Sequence, residues 1–374
     1  MGILGGGQLG KMLALAASSW DIQTAILDKE EDTPAAPVCG QFCFGDFRDE
    51  ETVYQFGRSV DILTIEIEQV NLKALKRLAA EGKKVYPEPH ILEKIQDKYI
   101  QNQIIRDYGF PKADFAPYEN AQDIRDAVSA GKLSLPFVQK SRLFGYDGRG
   151  VRVIKKDQDL ADLLDVPSVV EKMISIKKEI SVMAARNPKG DVVSYDPAEM
   201  IFNPRANLVD YLISPADISS DLAAKARELA EKMIQKLGVT GILAVEMFLD
   251  QSNNLWINEL APRPHNSGHH TIEGCITSQY EQHLRAIFNL PLGSTRVKMP
   301  SLMLNLLGEP GFEGPVRYDG LTECMAIEGV KIHIYGKKTT KPFRKMGHVT
   351  ILDNSLELAQ QKAAFVRGKL KVVT

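Results

Sequence analysis

At 374 residues the chain exceeds what one hydrophobic core usually supports, so two or three domains are expected. A composition of 44% hydrophobic and 25% charged residues excludes disorder, and a formal net charge of -2 with a pI near 6.4 excludes the global basic field that nucleic-acid binding exploits. The cysteines, Cys39, Cys43, Cys275 and Cys324, are too few for a disulfide framework, and no apolar run reaches the ~20 residues that span a bilayer; a cytoplasmic protein with neither nucleic-acid nor membrane partners is expected.

The first hundred residues alternate strand and helix patterns. GIL reads as a strand, short enough that a few further leading residues are expected before it, followed by a glycine turn and the helix KMLALAASS. TAILDKE and SVDILTIEIEQV contain two more strands, which implies a parallel sheet wrapped by helices. ILEKIQDKYIQNQIIRDYG reads as one polar and basic helix, and the prolines of FPKADFAPY mark a linker near residues 110–120.

LPFVQK and GVRVIKK then look like antiparallel strands joined by a glycine-rich loop, and SVVEKMI and KEISVMAAR add two more; residues 120–185 are expected to form a lid. Ser219 or Ser220 can cap the next helix, Leu222, Ala226, Leu229, Met233 and Leu237 form its apolar stripe, and Gly238 stops it. From about residue 300, short strands rich in Gly and Pro predict a small β domain.

The stretch VEMFLDQSNNLWINEL reads as a hairpin whose turn is centred between Ser252 and Asn253, so Glu246 and Glu259 fall within one position of opposite each other. Facing carboxylates with β-carbons ~5 Å apart repel. A divalent cation between them would compensate: Mg²⁺ typically takes one or two carboxylates plus phosphate oxygens, and Asn258 offers a neutral oxygen beside them. The plain alternative is a solvated pair balanced by nearby lysines.

Two glycine loops carry anion chemistry. Gly5, Gly7 and Gly10 form G-x-G-x-x-G between strand and helix, with Asp28 ending the next strand; this is the dinucleotide fingerprint, although free loop N–H groups would suit any phosphate. FGYDGRG, residues 144–150, lies between strands and can fold over nucleotide phosphates, with Lys98 and Lys140 as point charges. PRPHNSGHH supplies Arg263, His265, Asn266, His269 and His270; this spacing could hold zinc, but the adjoining acids suit a harder ion, and anion binding with acid–base work is the stronger reading. Lys337, Lys341, Arg344 and Lys345 form a basic run that is either a solvated face or a phosphate site.

Taken together, GGGQLGKM, EIEQV, QDK, FGYDGRG, VEKMI, INELAPRPHNSGHH and FRKMGH, in this order over nearly the whole chain, resemble the ATP-grasp family of N5-carboxyaminoimidazole ribonucleotide synthetases, ATP-dependent carboxylases of bacterial purine synthesis. The resemblance implies an α/β and α+β fold: a Rossmann-like pre-ATP-grasp domain over residues 1–97, an ATP-grasp domain with its lid over 98–300, and a small C-terminal β domain over 301–374. It implies ATP with Mg²⁺, or Mn²⁺ as a substitute, and a homodimer. The implied reaction carboxylates 5-aminoimidazole ribonucleotide with bicarbonate, through carboxyphosphate, in de novo purine (IMP) biosynthesis.

By motif position the resemblance makes Glu246 and Glu259 the metal ligands. It gives Lys98, Lys140, Gly145, Tyr146, Asp147, Gly148, Arg149, Gly150, Val151, Asn258 and Glu259 to the ATP phosphates and metal, Glu171, Lys172, Met173 and Ile174 to adenine, and Glu179 to the nucleotide ribose. Gln8, Leu9, Glu68, Tyr146, Arg149, Asn266, Lys337, Arg344 and Lys345 would bind the ribonucleotide, with Glu66 the lesser choice beside Glu68. Arg263, His265 and Lys337 would be catalytic. Gln69 stands where the family usually has His, and Lys172 where it often has Glu or Gln. A formate-dependent glycinamide ribonucleotide transformylase, an NAD-binding dehydrogenase and a non-catalytic nucleotide sensor are the alternatives.

Overall fold

Fully buried apolar strands set the N-terminal third. β1 (Gly2–Leu4), β2 (Ala25–Asp28) and β4 (Ile62–Ile65) are buried along their whole length, as strands covered by helices on both faces must be. With β3 (Gln41–Phe44) and β5 (Lys84–Tyr86), two strands the sequence pattern did not reveal, they form a five-stranded parallel sheet in the order β3-β2-β1-β4-β5. The computed structural model describes residues 1–143, 145, 150–203 and 208–374, so the expected contacts of Tyr146, Asp147, Gly148 and Arg149 lie outside the described residues.

The glycine turn leads into α1 (Gln8–Ser18). A Cβ on Gly10 would come 2.6 Å from the Gly5 carbonyl oxygen, a backbone atom that cannot swing away. Gly10→Ala is expected to destabilise the fold by about 1–3 kcal/mol, read as a lower urea midpoint at unchanged slope.

The long helix expected after β5 is two helices, Pro89–Gln96 and Lys98–Asp107, broken at Asp97, whose φ and ψ of -98° and 116° are extended. The Asp97 carboxylate caps the second helix by accepting the Tyr99 N–H at 2.8 Å, and it holds Arg142 at 2.7 Å. Periodicity alone continues through a capping residue; the break makes Lys98 the first residue of a helix pointing at the cleft.

The expected linker is also a strand. β6 (Phe115–Tyr118), β7 (Phe137–Ser141), β8 (Val151–Ile154) and β9 (Ser168–Lys172) make a four-stranded antiparallel sheet in the order β6-β9-β7-β8. This small sheet therefore starts before residue 120. It ends before β10 (Ile176–Arg186), which leaves it for the central sheet.

The central sheet has nine strands. β10, β11 (Val192–Ser194), β12 (Ala198–Asn203), β13 (Leu208–Ser214), β14 (Gly241–Asp250), β15 (Leu255–Ala261) and β16 (Ser301–Leu307) run on into strands Lys345–Leu352 and Val330–Ile334. The C-terminal strands are thus sewn to the β13 edge, Tyr211 opposite Leu304 through Ser214 opposite Ser301, and share one sheet with the preceding residues. Their apolar face, including Leu302, Leu304, Val349 and Ile351, is covered by Ala359, Ala363 and Val366 of a helix, Leu356–Lys369. A strand's pattern says which face is buried, not which sheet edge it joins.

Helix Ser220–Leu237 behaves as its sequence demands. Ser219 caps it by accepting the Leu222 N–H, and Gly238 ends it at φ 79°, a left-handed conformation suited to glycine. Ala226, Ala230, Met233, Ile234 and Leu237 pack on Val182, Val245 and Met247 of the central sheet, giving the cleft a rigid floor.

Candidate active site

The β14–β15 hairpin places the two acids. Asp250 Oδ1 accepts the Ser252 and Asn254 N–H groups at 2.8 Å each, and Asn253 takes φ 63° to close the turn. From that turn the register runs Leu249 opposite Leu255 to Met247 opposite Ile257, then shifts by one residue, so that Glu246 faces Glu259 and Asn258 is the extra residue. Without this bulge Glu246 would face Asn258.

A third acid, Glu179 on β10, joins them at the wall of a cleft of about 600 Å³ that lies between the sheets. Burial, then the neighbouring Glu259 and Glu179, pushes the Glu246 carboxyl up to about 8; burial raises Glu179 to about 7. Burial also opposes charge on Glu259, but Lys98, its Nζ 2.6 Å from Glu259 Oε1, outweighs it and holds that carboxyl below its usual value. A pair of acids in which one must stay neutral is a cation-seeking pair. Among the described residues no group of three or more His, Cys, Asp or Glu is placed to hold a metal ion.

On the facing wall, Glu171 of β9 gathers the bases. Lys140 Nζ lies 3.0 Å and Lys112 Nζ 3.2 Å from its carboxylate, and Asn102 Nδ2 donates to it at 2.7 Å. Burial opposes the charge on Glu171, yet Lys140 and Lys112 together hold it well below the usual range. Burial drives Lys112 down to about 8 against the pull of Glu171. Both lysines also bind Asn258, Lys140 at the side-chain oxygen at 2.8 Å and Lys112 at the backbone carbonyl at 3.0 Å, tying the small sheet to β15. Lys112 and Asn102 escaped the sequence reading because one sits in the apparent linker and the other inside an apparent surface helix.

At the other end Arg263 Nε lies 2.8 Å from Glu68 Oε1. His265 Nδ1 is 2.9 Å from Ser267 Oγ, its Nε2 is 3.7 Å from Glu246 Oε1, and Gln279 holds its backbone through both amide atoms. Among the described residues Asn266 Oδ1 and Nδ2, buried at the cleft, have no hydrogen-bond partner.

Of the expected site residues, Gln8, Leu9, Glu68, Lys98, Lys140, Gly145, Val151, Glu171, Lys172, Met173, Ile174, Glu179, Glu246, Asn258, Glu259, Arg263, His265, Asn266 and Lys345 line this one cleft. Gly150, at φ 78°, is not in the lining, and its N-terminal neighbours 146–149 are outside the described residues. Lys337 and Arg344 are not in the lining: Lys337 Nζ donates to the Lys345 carbonyl at 2.7 Å, and Arg344 to Thr339 O at 2.8 Å. The zinc alternative fails on geometry: Nδ1 of the buried His269 is engaged by Tyr280 Oη at 3.1 Å and that of His270 by the Ser267 carbonyl at 3.0 Å, and among the described residues no His, Cys, Asp or Glu cluster is placed to hold the ion.

The dinucleotide alternative fails as well. The glycine loop's N–H groups are already bound to acids, Gly6 to Asp28 Oδ2 at 2.6 Å and Gly7 and Gly10 to the two oxygens of Glu66 at 2.5 and 2.6 Å. Asp28, read as a ribose partner, instead ties down the loop, and the expectation of free loop donors is corrected.

The ribonucleotide synthetase pre-ATP-grasp domain family matches residues 1–96, the ATP-grasp domain family residues 103–280, and the phosphoribosylaminoimidazole carboxylase C-terminal domain family residues 301–362. The chain is 36% identical to the phosphoribosylaminoimidazole carboxylase of Saccharomyces cerevisiae over its whole length but spans only 66% of that protein. It is also 36% identical to the N5-carboxyaminoimidazole ribonucleotide synthase of Bacillus subtilis, covering 94% of this chain and 91% of the relative. The crystal structure of N5-carboxyaminoimidazole ribonucleotide synthetase from Thermotoga maritima superposes with a TM-score of 0.91 at 40% identity, covering 100% and 99% of the two chains. An Aspergillus clavatus synthase crystallised with ADP and 5-aminoimidazole ribonucleotide gives 0.89 at 32% identity, covering 98% and 97%. The chain belongs to the N5-carboxyaminoimidazole ribonucleotide synthase family of ATP-grasp ligases.

Proposed function

We propose that the chain carboxylates 5-aminoimidazole ribonucleotide with ATP and bicarbonate in de novo purine synthesis. A bicarbonate oxygen attacks the γ-phosphorus and ADP leaves; the exocyclic amine then takes the carbon of carboxyphosphate, phosphate leaves, and the amine proton passes to a base. The observation that carries this reading is the opposed Glu246–Glu259 pair with Lys98 and Lys140 beside it, in one cleft with Arg263 and His265.

Glu246 and Glu259 would hold Mg²⁺, or Mn²⁺, with Asn258 Oδ1 adjacent. When bound, the ion neutralises phosphate charge that builds during transfer. Lys98 and Lys140 grip the phosphates, exchanging carboxylate partners for them. The segment Glu171–Ile174, which links the small sheet to β10, lines the adenine end, with Glu179 at the ribose. His265, oriented by Ser267, is placed to take the amine proton, while Arg263 holds bicarbonate and Asn266 the ribonucleotide. Lys345 faces the ribonucleotide phosphate; Lys337 and Arg344 must release Lys345 O and Thr339 to join it. A cytoplasmic homodimer fits this reading, and sedimentation velocity at micromolar concentration tests the dimer; no helix is long and apolar enough to cross a membrane among the described residues.

Assaying ADP release with aminoimidazole ribonucleotide plus bicarbonate, against glycinamide ribonucleotide plus formate, tests the proposal. Turnover is expected only in the first mixture; turnover only in the second would overturn it. The family membership speaks against the formate reaction.

A further inference from the structure

We propose that Glu66 is the positioning residue of the ribonucleotide end of the cleft: its carboxylate fills the anion seat at the start of α1 and thereby aims Gln8 and Leu9. That these two meet the aminoimidazole ribonucleotide rests on the function proposed above; that Glu66 fills the seat does not.

A turn of this glycine pattern at a helix N-terminus offers backbone N–H groups and the positive end of the helix dipole to an anion. Here the anion is part of the chain. Glu66 Oε1 accepts the Gly7 N–H at 2.5 Å and Oε2 the Gly10 N–H at 2.6 Å; burial raises this carboxyl above its usual value, and the two N–H donors oppose that rise. The glycines are fitted to that guest: a Cβ on Gly5 would come 2.5 Å from Glu66 Cγ, and one on Gly7 would clash with Glu66 Oε1. The pattern that elsewhere admits a pyrophosphate admits a glutamate side chain.

Gln8 and Leu9 are flanked by the two pinned residues, so the loop cannot turn at either end without breaking a bond to Glu66. Arg263 is held by the next acid along: its Nε lies 2.8 Å from Glu68 Oε1, two residues beyond Glu66. One short segment after β4 therefore fixes the glycine loop through its first acid and Arg263 through its second.

Glu66→Gln keeps the volume but sets an amide N–H against one of the two backbone donors. The expected result is a KM for aminoimidazole ribonucleotide raised about 10–100-fold, the cost of a misaimed contact, with the affinity for a non-hydrolysable ATP analogue within about twofold of the parent by calorimetry. Glu66→Ala empties the seat, and acetate is expected to refill it: saturable, acetate-dependent thermal stabilisation in the absence of substrate, absent with chloride at equal ionic strength and absent in the parent. An unchanged KM in Glu66→Gln, equal losses of both ligands, or indifference of Glu66→Ala to acetate would each overturn the proposal. Failure of the parent protein to bind aminoimidazole ribonucleotide would instead sink the proposed function, with the acetate melt still deciding the seat.

Discussion

Replacing Glu259 with glutamine is expected to lower turnover by about 10³-fold while leaving the fold intact, because one preorganised charge at a phosphoryl-transfer site contributes on that order. The substitution is isosteric and Glu259 is 42% exposed, so packing is little disturbed. One charge with two roles is lost from the cleft's balance: Glu259 is both the acid that faces Glu246 and the partner that Lys98 holds at 2.6 Å. The check is steady-state ADP release together with a thermal melt. Activity within tenfold of the parent, in a folded variant, would remove Glu259 from the metal site.

Glu171→Gln should act on stability first. Its carboxylate, 6% exposed, pairs with both Lys112 and Lys140, so neutralising it removes the opposing charge from two buried bases. Breaking a buried ionic group in this way costs about 3–5 kcal/mol, moderated here because Lys112, already down at about 8, can shed its proton. The sign with pH follows from the depressed carboxyl: the folded state binds this proton more weakly than the unfolded state, so the stabilisation is complete above the ordinary glutamate value of 4.5 and fades as pH falls below it. The gap in denaturation midpoint between parent and variant should therefore be widest near pH 7 and narrow steadily below 4.5. A gap that does not change with pH would mean that Glu171 is not held charged by its lysines.

Much of the site was legible in the chain because it is local. Counting from the turn brought Glu246 and Glu259 within one position of opposite, the bulge at Asn258 completing the pairing, while the helix after Ser219 carries its own cap and stop and the ordered motifs marked the family. These features depend on neighbours within a few residues, where hydrogen-bond geometry and side-chain periodicity leave few choices.

What only the tertiary structure decided is which distant groups satisfy one another. Glu66 and Asp28 occupy the glycine loop that looked open to phosphate; Lys112 and Asn102, in segments read as linker and surface helix, meet on Glu171; and the C-terminal strands join the β13 edge. The sequence by itself determined many of the elements, the near-opposition of the paired acids and the chemistry to expect of them. The structure decided where each buried charge finds its partner, because desolvation must be offset by whatever group the fold brings within reach, and nothing in the local sequence records that distance.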